Sequence, residues 1–482
     1  MAKQLSGYGS LQFGFASAEK ERASAPELLL QGFYDHQGVV KEARNGDKYL
    51  FLGYKGSGKS AIGQKLVLDA ESDPNTFVTS LHLKDFPFNA FGKVGTLSDE
   101  PETRYPTSWA WLILLRLLGS FKQDQGAHRN RDFTKAISIL SERGILQTED
   151  LKNLVLRSSK NSFKAQIPKI LEATHETSTN ESGLAFLQLV TYLRTVCETF
   201  RSESSHILVI DGLDDVLTQR EVQYRSLAAL LQEVGRINED LFAKGVRAKI
   251  ILLCRTDIFE LFPDGNKNKV RRDSAIALDW YHDTRSPEQT SLVALADLRV
   301  RLSSGDDTAR LSHFLPPSID GEPTLNALLS LTRHTPRDFL QLLESIRVFS
   351  RPNEKLTIDQ ILKGMRHYSI EYFLPEIKDE LVGVLTPREV DASLSLFSAM
   401  RSRTFKYSQL RSYIDETSHE SLKELPLNRV LEVLYERSAI GTVHGDRGYD
   451  AYTFKFRNRN STLGFPDRLM MHKGIWKAMN FS

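Results

Sequence analysis

The residues best suited to chemistry lie in KYLFLGYKGSGKSAI, Lys48 to Ile62, where Gly53, Gly58, Lys59 and Ser60 fall at the spacing G-x-x-x-x-G-K-S. This is a Walker A loop, and the apolar run Tyr49 to Leu52 before it reads as the buried strand that feeds it. Glycines at 53, 56 and 58 are expected to allow positive φ and turn backbone N–H groups inward, so amide dipoles and the following helix N-terminus hold a polyphosphate. Gly53, Tyr54, Lys55, Gly56, Ser57, Gly58, Lys59, Ser60 and Ala61 are therefore the expected nucleotide contacts. Lys59 supplies a point charge to the β- and γ-phosphates and the Ser60 hydroxyl a ligand to Mg²⁺, which makes ATP with Mg²⁺ the expected cofactor pair.

A second acidic element supports this. HILVIDGLDDV, His206 to Val216, is an apolar strand ending on Asp211, which as a Walker B acid would hold Mg²⁺ through its water shell opposite Ser60. By itself DGLDD also reads as a solvated acidic turn after a core strand. A further apolar strand, AKIILLCRTD (Ala248 to Asp257), ends on the polar Arg255. Strands in this order describe an open parallel sheet with its ligands at the carboxyl edge.

The elements that must position these residues follow from pattern. A helix from Ser60 to about Ala70 and a strand around Phe77 to Leu83 continue the α/β alternation, but the next strong strand begins only at His206. The gap holds helix-like segments at about 107–122, 131–143, 148–158, 163–173 and 182–200, so a helical insertion is expected over roughly 100–180. WAWLILLRLLG (Trp109 to Gly119) is the most apolar run, yet it is short of the ~20 residues a membrane span needs and Arg116 interrupts it, so it reads as a buried helix. Phe13 to His36 suits a short helix against a nucleotide domain, where it would frame the adenine.

From about Ser286 helices replace strands. In LTRHTPRDFLQLLESI (Leu331 to Ile346), Thr335 serves as N-cap, Pro336 as first helical residue and Asp338 as the acid of the first turn. Two readings of Arg337 stand: a plain first-turn residue, or a cation reaching a γ-phosphate, since arginine at a helix N-terminus opposes the macrodipole. The last hundred residues read as three short helices and a hairpin turning at 445–449, a winged-helix pattern. Its Arg401, Arg403, Lys406, Arg411 and Arg429 fall on or beside the helices, and Lys455, Arg457 and Arg459 are expected to alternate along the second strand on one face. Such a face suits DNA phosphates, and it equally suits an edge strand guarded against aggregation. Leu381 to Ser482 carries 15 Lys+Arg against 11 Asp+Glu, which leaves both duplex binding and protein packing open.

Composition bounds the setting. A chain of 482 residues suggests about three domains. With 63 Lys+Arg against 61 Asp+Glu there is no global field for nucleic acid or anionic membrane, so such partners would need a local patch. Cys197 and Cys254 are the only cysteines and both sit in apolar stretches, which excludes a disulfide scaffold and a cysteine-rich zinc site. No basic region followed by an apolar core opens the chain, so a cytoplasmic location is expected, with no membrane partner.

Together GYKGSGKSA, VIDGLDDV, LLCRTD and HTPRDFLQLL resemble the signal-transduction ATPases with numerous domains (STAND) and the origin-recognition-like branch of the AAA+ class. GFASAEKE and MMHKGIWKAMN resemble a group of bacterial P-loop ATPases, some encoded near mobile-element and phage-defence genes. The resemblance implies an α/β P-loop NTPase core with a helical insertion, an all-helical lid and a C-terminal winged helix. It implies an N-terminal arm over 1–46, the core over 47–285, the lid over 286–375 and the winged helix with its tail over 376–482. Arg255 would be the sensor-1 arginine, and Pro336 with Arg337 would match the lid helix carrying the sensor-2 position.

One departure bears on rate. Relatives that hydrolyse quickly place a glutamate just after the Walker B aspartate, where this chain has Gly212, and the candidate water-orienting bases are Asp215 and Asp214. An aspartate falls short by about 1 Å if the backbone is unmoved, which can reduce rate ~10²-fold, so slow hydrolysis is expected. Two functions follow: an ATP-operated switch acting through a protein partner encoded nearby, in defence or mobile-DNA processes, or a DNA-binding ATPase of the origin-recognition or transposition-helper type. Arg271 and Arg272, after the sensor strand, are candidates for a finger completing a neighbour's site in a nucleotide-dependent homo-oligomer, or for a solvated basic loop.

Overall fold

A computed structural model describes residues 7–84, 86–94, 101–146, 150–173, 182–213, 221–263, 266–281, 286–382, 384–445, 451–465 and 468–481. The chain forms two compact units: Asp35–Leu278 is one, and the flanking segments, Met1–Tyr34 with Asp279–Ser482, are the other. The residues expected as an N-terminal arm are thus shared between the two.

In the first unit, β1 (Leu50–Gly53), β2 (Thr76–His82), β3 (Ser205–Asp211), β4 (Ala248–Arg255) and β5 (Ala275–Ala277) form a sheet in the order β2-β3-β4-β1-β5 with every pairing parallel. β1, β3 and β4 are near-continuous apolar runs because helices cover both faces of such a sheet; all four residues of β1 are buried. From β1 the chain crosses to β2 at one edge, and from β4 it crosses over β1 to β5 at the other. Right-handed crossovers in opposite directions place their helices on opposite faces, which opens a crevice at the carboxyl ends of β1 and β4. This is the expected α/β P-loop core.

The helices expected between β2 and β3 are present, and the first, Pro101–Gln123, packs on β2, β3 and the helix Glu221–Ala243. Its Trp109 indole donates to the Ser226 carbonyl at 2.8 Å and its Trp111 indole to the Ser158 hydroxyl at 3.2 Å. The most apolar run is accordingly core, and among the described residues no helix is long and apolar enough to cross a membrane. His206, at the start of β3, lies between Ser120 and Asp124 at 2.9 and 3.3 Å. Asp124 accepts, so Nε2 carries the proton and Nδ1 accepts from Ser120. Phe77, Phe121 and Phe200 pack around this ring, so the trio ties a helix end to the sheet and is not a nucleophilic site.

The second unit joins the helical lid and the winged helix around one core that runs from Tyr8 to Phe481. Helices Ser291–Ser304, Pro336–Arg347 and Ile358–Tyr368 form the lid, with a small hairpin of β6 (Ser318–Ile319) and β7 (Glu322–Pro323). Thr335 caps Pro336–Arg347 by accepting from Asp338 N–H, as expected. Helices Pro387–Met400, Tyr407–Glu416 and Leu427–Glu436 are the expected three of the winged helix. The sheet is larger than a hairpin: β8 (Thr404–Lys406), β9 (Ile440–His444), β10 (Ala451–Thr453) and β11 (Arg468–Met471) pair antiparallel in the order β10-β9-β11-β8. The tail thus supplies an inner strand.

Two buried charge clusters hold this unit. Arg299 meets Glu21 at 2.6 and 2.9 Å and donates to the carbonyls of Phe13 and Gly32, which fixes residues 13–32 on a lid helix. Arg333 pairs with both oxygens of Asp338 at 2.9 and 3.1 Å and with Glu380 at 2.6 Å, and the Tyr372 hydroxyl donates to Asp338. Ser369 donates to the Gly474 carbonyl and accepts from Ala478 N–H, which binds the tail to the end of the lid.

Burial holds His206 neutral, its pKa lowered to about 4, and lowers those of His334 and His472 to about 3. The unfolded chain takes these protons near pH 6.5, so the stability each contributes is complete above that and is lost as pH falls toward the folded values. At pH 5 each should have given up about 2 kcal/mol. Thermal melts at pH 7 and pH 5 should show a marked acid fall, and His472→Gln should lessen it. A fall of the same size in that variant would refute the assignment.

Candidate nucleotide site

The loop after β1 is shaped by contacts that the motif alone does not specify. Gly58 has φ +95°, as expected of a cradle glycine, whereas Gly53 does not take a positive φ. Its glycine answers to space: a Cβ there would lie 2.2 Å from the Ser57 hydroxyl oxygen. Lys59 begins the helix Lys59–Glu71, is 7% exposed, and its Nζ donates to the carbonyls of Gly53 and Tyr54 at 3.0 Å each. A buried ammonium folded back over the loop's first residues is suited to an anion in the cradle. Ser60 follows in the first turn of that helix.

Register fixes the neighbours. Gly53, where the chain leaves the sheet, stands opposite Arg255 at the end of β4. Ile210 pairs with Leu252, which sets Asp211 one residue further along β3. Asp211 is 8% exposed, and its carboxylate accepts from Gly212 N–H at 2.7 Å. Gly212 has φ +83° and a Cβ there would press on the Leu83 and Lys84 nitrogens at 3.3 Å, so a glutamate at this place would be strained. Asp214 and Asp215 lie outside the described residues. A cradle, a buried lysine and a buried carboxylate at one sheet edge fit a nucleotide triphosphate with a divalent cation.

Arg255 is held by a residue the sequence reading passes over. Asp257 accepts from Arg255 Nε at 3.0 Å and from Nη2 at 2.7 Å. The only signal was the acid two positions on in CRTD, read simply as the end of a strand. Arg337, in the other unit, pairs with Glu376 at 3.3 Å and is partly exposed, while the buried anchor of that segment is Arg333. Arg271 lies over Phe259 and pairs with Glu260, and the exposed Arg272 gives its carbonyl to Lys48.

The wing departs from expectation. β10 ends at Thr453, so Lys455, Arg457 and Arg459 do not alternate along a strand but lie in the turns after it. Lys455 meets Glu436 at 3.0 Å and the Ser461 carbonyl at 2.9 Å; Arg459 meets Asp279 at 3.0 Å; Arg457 lies over the rings of Tyr281 and Phe456. On the third helix Arg429 donates to the Val384 carbonyl, and Glu432 and Glu436 are exposed.

No protein-family model matches the chain, and a search of curated proteins returns no match. Among solved structures it is similar to the Aeropyrum pernix ORC1 protein in complex with DNA, at 14% identity and a TM-score of 0.38, over 100% of this chain and 98% of that one.

Gly53→Ala should drive a methyl group into Ser57 and spoil the cradle. Titration with a fluorescent ATP analogue is expected to show affinity reduced by about tenfold or more, the equivalent of about 1.4 kcal/mol. Unchanged affinity would reject the close-packed account of this loop.

Proposed function

We propose that the chain is an ATP-binding, Mg²⁺-dependent ATPase of slow turnover whose nucleotide state governs what its lid and winged-helix unit can bind. The observation that carries this is the loop with buried Lys59 at the crevice between β1 and β4, beside Arg255 and near Asp211. Lys59 and the loop amides would hold the phosphates, and Ser60 and Asp211 would hold Mg²⁺, which supplies charge neutralisation at the transferring phosphoryl group. Asp215 or Asp214 would orient water, with Asp215 preferred, and the strain against glutamate at Gly212 supports slow turnover. Arg337 would act as a sensor of the γ-phosphate, and Arg271 or Arg272 would serve a neighbouring copy in a nucleotide-dependent homo-oligomer.

The partner we favour is a protein encoded nearby, in a cytoplasmic switch of STAND or AAA+ type with a role in bacterial defence or mobile-DNA processes. The commitment of the wing cations to Glu436, Asp279 and aromatic rings supports this over DNA contact there. A second reading, a duplex-binding ATPase of the origin-recognition or transposition-helper type, is supported by the three-helix and wing topology of 387–471.

Calorimetric titration and phosphate release test the site together. Lys59→Ala should abolish both ATP binding and turnover, whereas Asp211→Asn should keep nucleotide affinity within a few fold and lose Mg²⁺-dependent release by ~10²-fold or more. Full turnover in either variant would reject the site. Fluorescence anisotropy with labelled duplex separates the partners: a clamp should bind at low salt with a log–log slope of about −0.9 per phosphate contacted, and a protein-directed switch should show no such binding.

A further inference from the structure

We propose that Asp257 is the positioning residue that sets Arg255 for recognition of the terminal phosphate; this rests on the nucleotide reading above. Arg255 closes β4 opposite Gly53, and Asp257 sits two residues on, in the short helix Thr256–Glu260. The two meet through a two-point contact, Nε to Oδ1 at 3.0 Å and Nη2 to Oδ2 at 2.7 Å, with side-chain exposures of only 13% and 18%. A planar guanidinium bound at two points to a carboxylate has its rotation as well as its position fixed. A single contact, or a contact to solvent, would leave the long arginine chain to sample many rotamers and lose them on binding. The short helix in turn follows directly from β4, so the carboxylate is carried by the same strand end as the arginine it orients. The two-point contact that fixes the cation is thus contained within CRTD.

A role through Arg255 differs measurably from a role in stability. The probes are a non-hydrolysable ATP analogue and ADP, each with Mg²⁺, bound to the full chain; the readout is the ratio of their affinities, which does not depend on turnover. Arg255→Ala is expected to lower that ratio by roughly tenfold, the scale of a charge-assisted hydrogen bond. Asp257→Ala should lower it by a similar factor with ADP affinity nearly unchanged, and Asp257→Asn should fall between. In the double variant the ratio should match Arg255→Ala alone, because Asp257 has nothing left to orient. Independent, additive losses would overturn the proposal, as would a ratio that rises in Asp257→Ala, or one that stays constant while only the melting temperature drops. Wild-type protein that binds neither nucleotide would instead sink the nucleotide reading itself, and that result is distinct from all of these.

Discussion

With its ammonium buried and donating to the carbonyls of Gly53 and Tyr54, Lys59 ties the first turn of its helix back to the point where the chain leaves the sheet. That closure requires Gly53 to have no side chain, since Ser57 occupies the space, and requires β1 to be immobile. β1 is immobile because it is an inner strand, with β4 on one side and β5 on the other and every residue buried. The same placement brings Arg255 level with Gly53. The positions of the loop, of Arg255 and of Asp211 are therefore consequences of one packing arrangement, in which apolar strands have no freedom to slip without moving charged residues into the core.

The flanking-segment unit solves a different problem, joining a helical lid to a winged helix whose strands are short. Burying Arg333 among Asp338, Glu380 and Tyr372 is favourable only while every member is paired, so the cluster specifies one arrangement of the segment 331–335 and the helices Pro336–Arg347 and Leu374–Leu381. Burial tends to raise the Asp338 pKa, but the charge and hydrogen bonds of Arg333 outweigh it and hold the carboxyl below its ordinary value. The tail then completes both ends: β11 lies between β9 and β8, and Gly474 packs so closely on the Leu331 carbonyl that a Cβ would sit at 2.6 Å. Lid and winged helix share a core, so a displacement of one carries the other.

Much of this was legible where local pattern and tertiary role coincide. The Walker A spacing, the apolar β3 and β4, the capped helix from Pro336 and the buried character of Trp109 to Gly119 were each implied by residues close in sequence. Non-local partners were not legible. Glu21 gives no sign of its pairing with Arg299, and Arg333 no sign of its burial, because both carry charges that usually face water. β11 was hidden because its partner strands lie 24 or more residues upstream, too far for a hairpin signal. Gly53 was recognised for the wrong reason: the motif names a glycine, and only the neighbouring Ser57 shows that it serves close approach.

The wing makes the same point for charge. Three cations at alternate positions read as a face for phosphates, but a charge acts through what it touches, and sequence does not show what it touches. Lys455 closes on Glu436 of the third helix, which holds the turn after β10 to the helix beside it. Arg459 closes on Asp279, and Arg457 stacks near Tyr281, so two of the three secure the segment just after Leu278. That segment is one of the two places where the chain passes between the units, and Leu278 itself donates to the Leu52 carbonyl beside β1. Each of the three cations thus has a partner within its own unit, which a reading of their spacing alone does not supply.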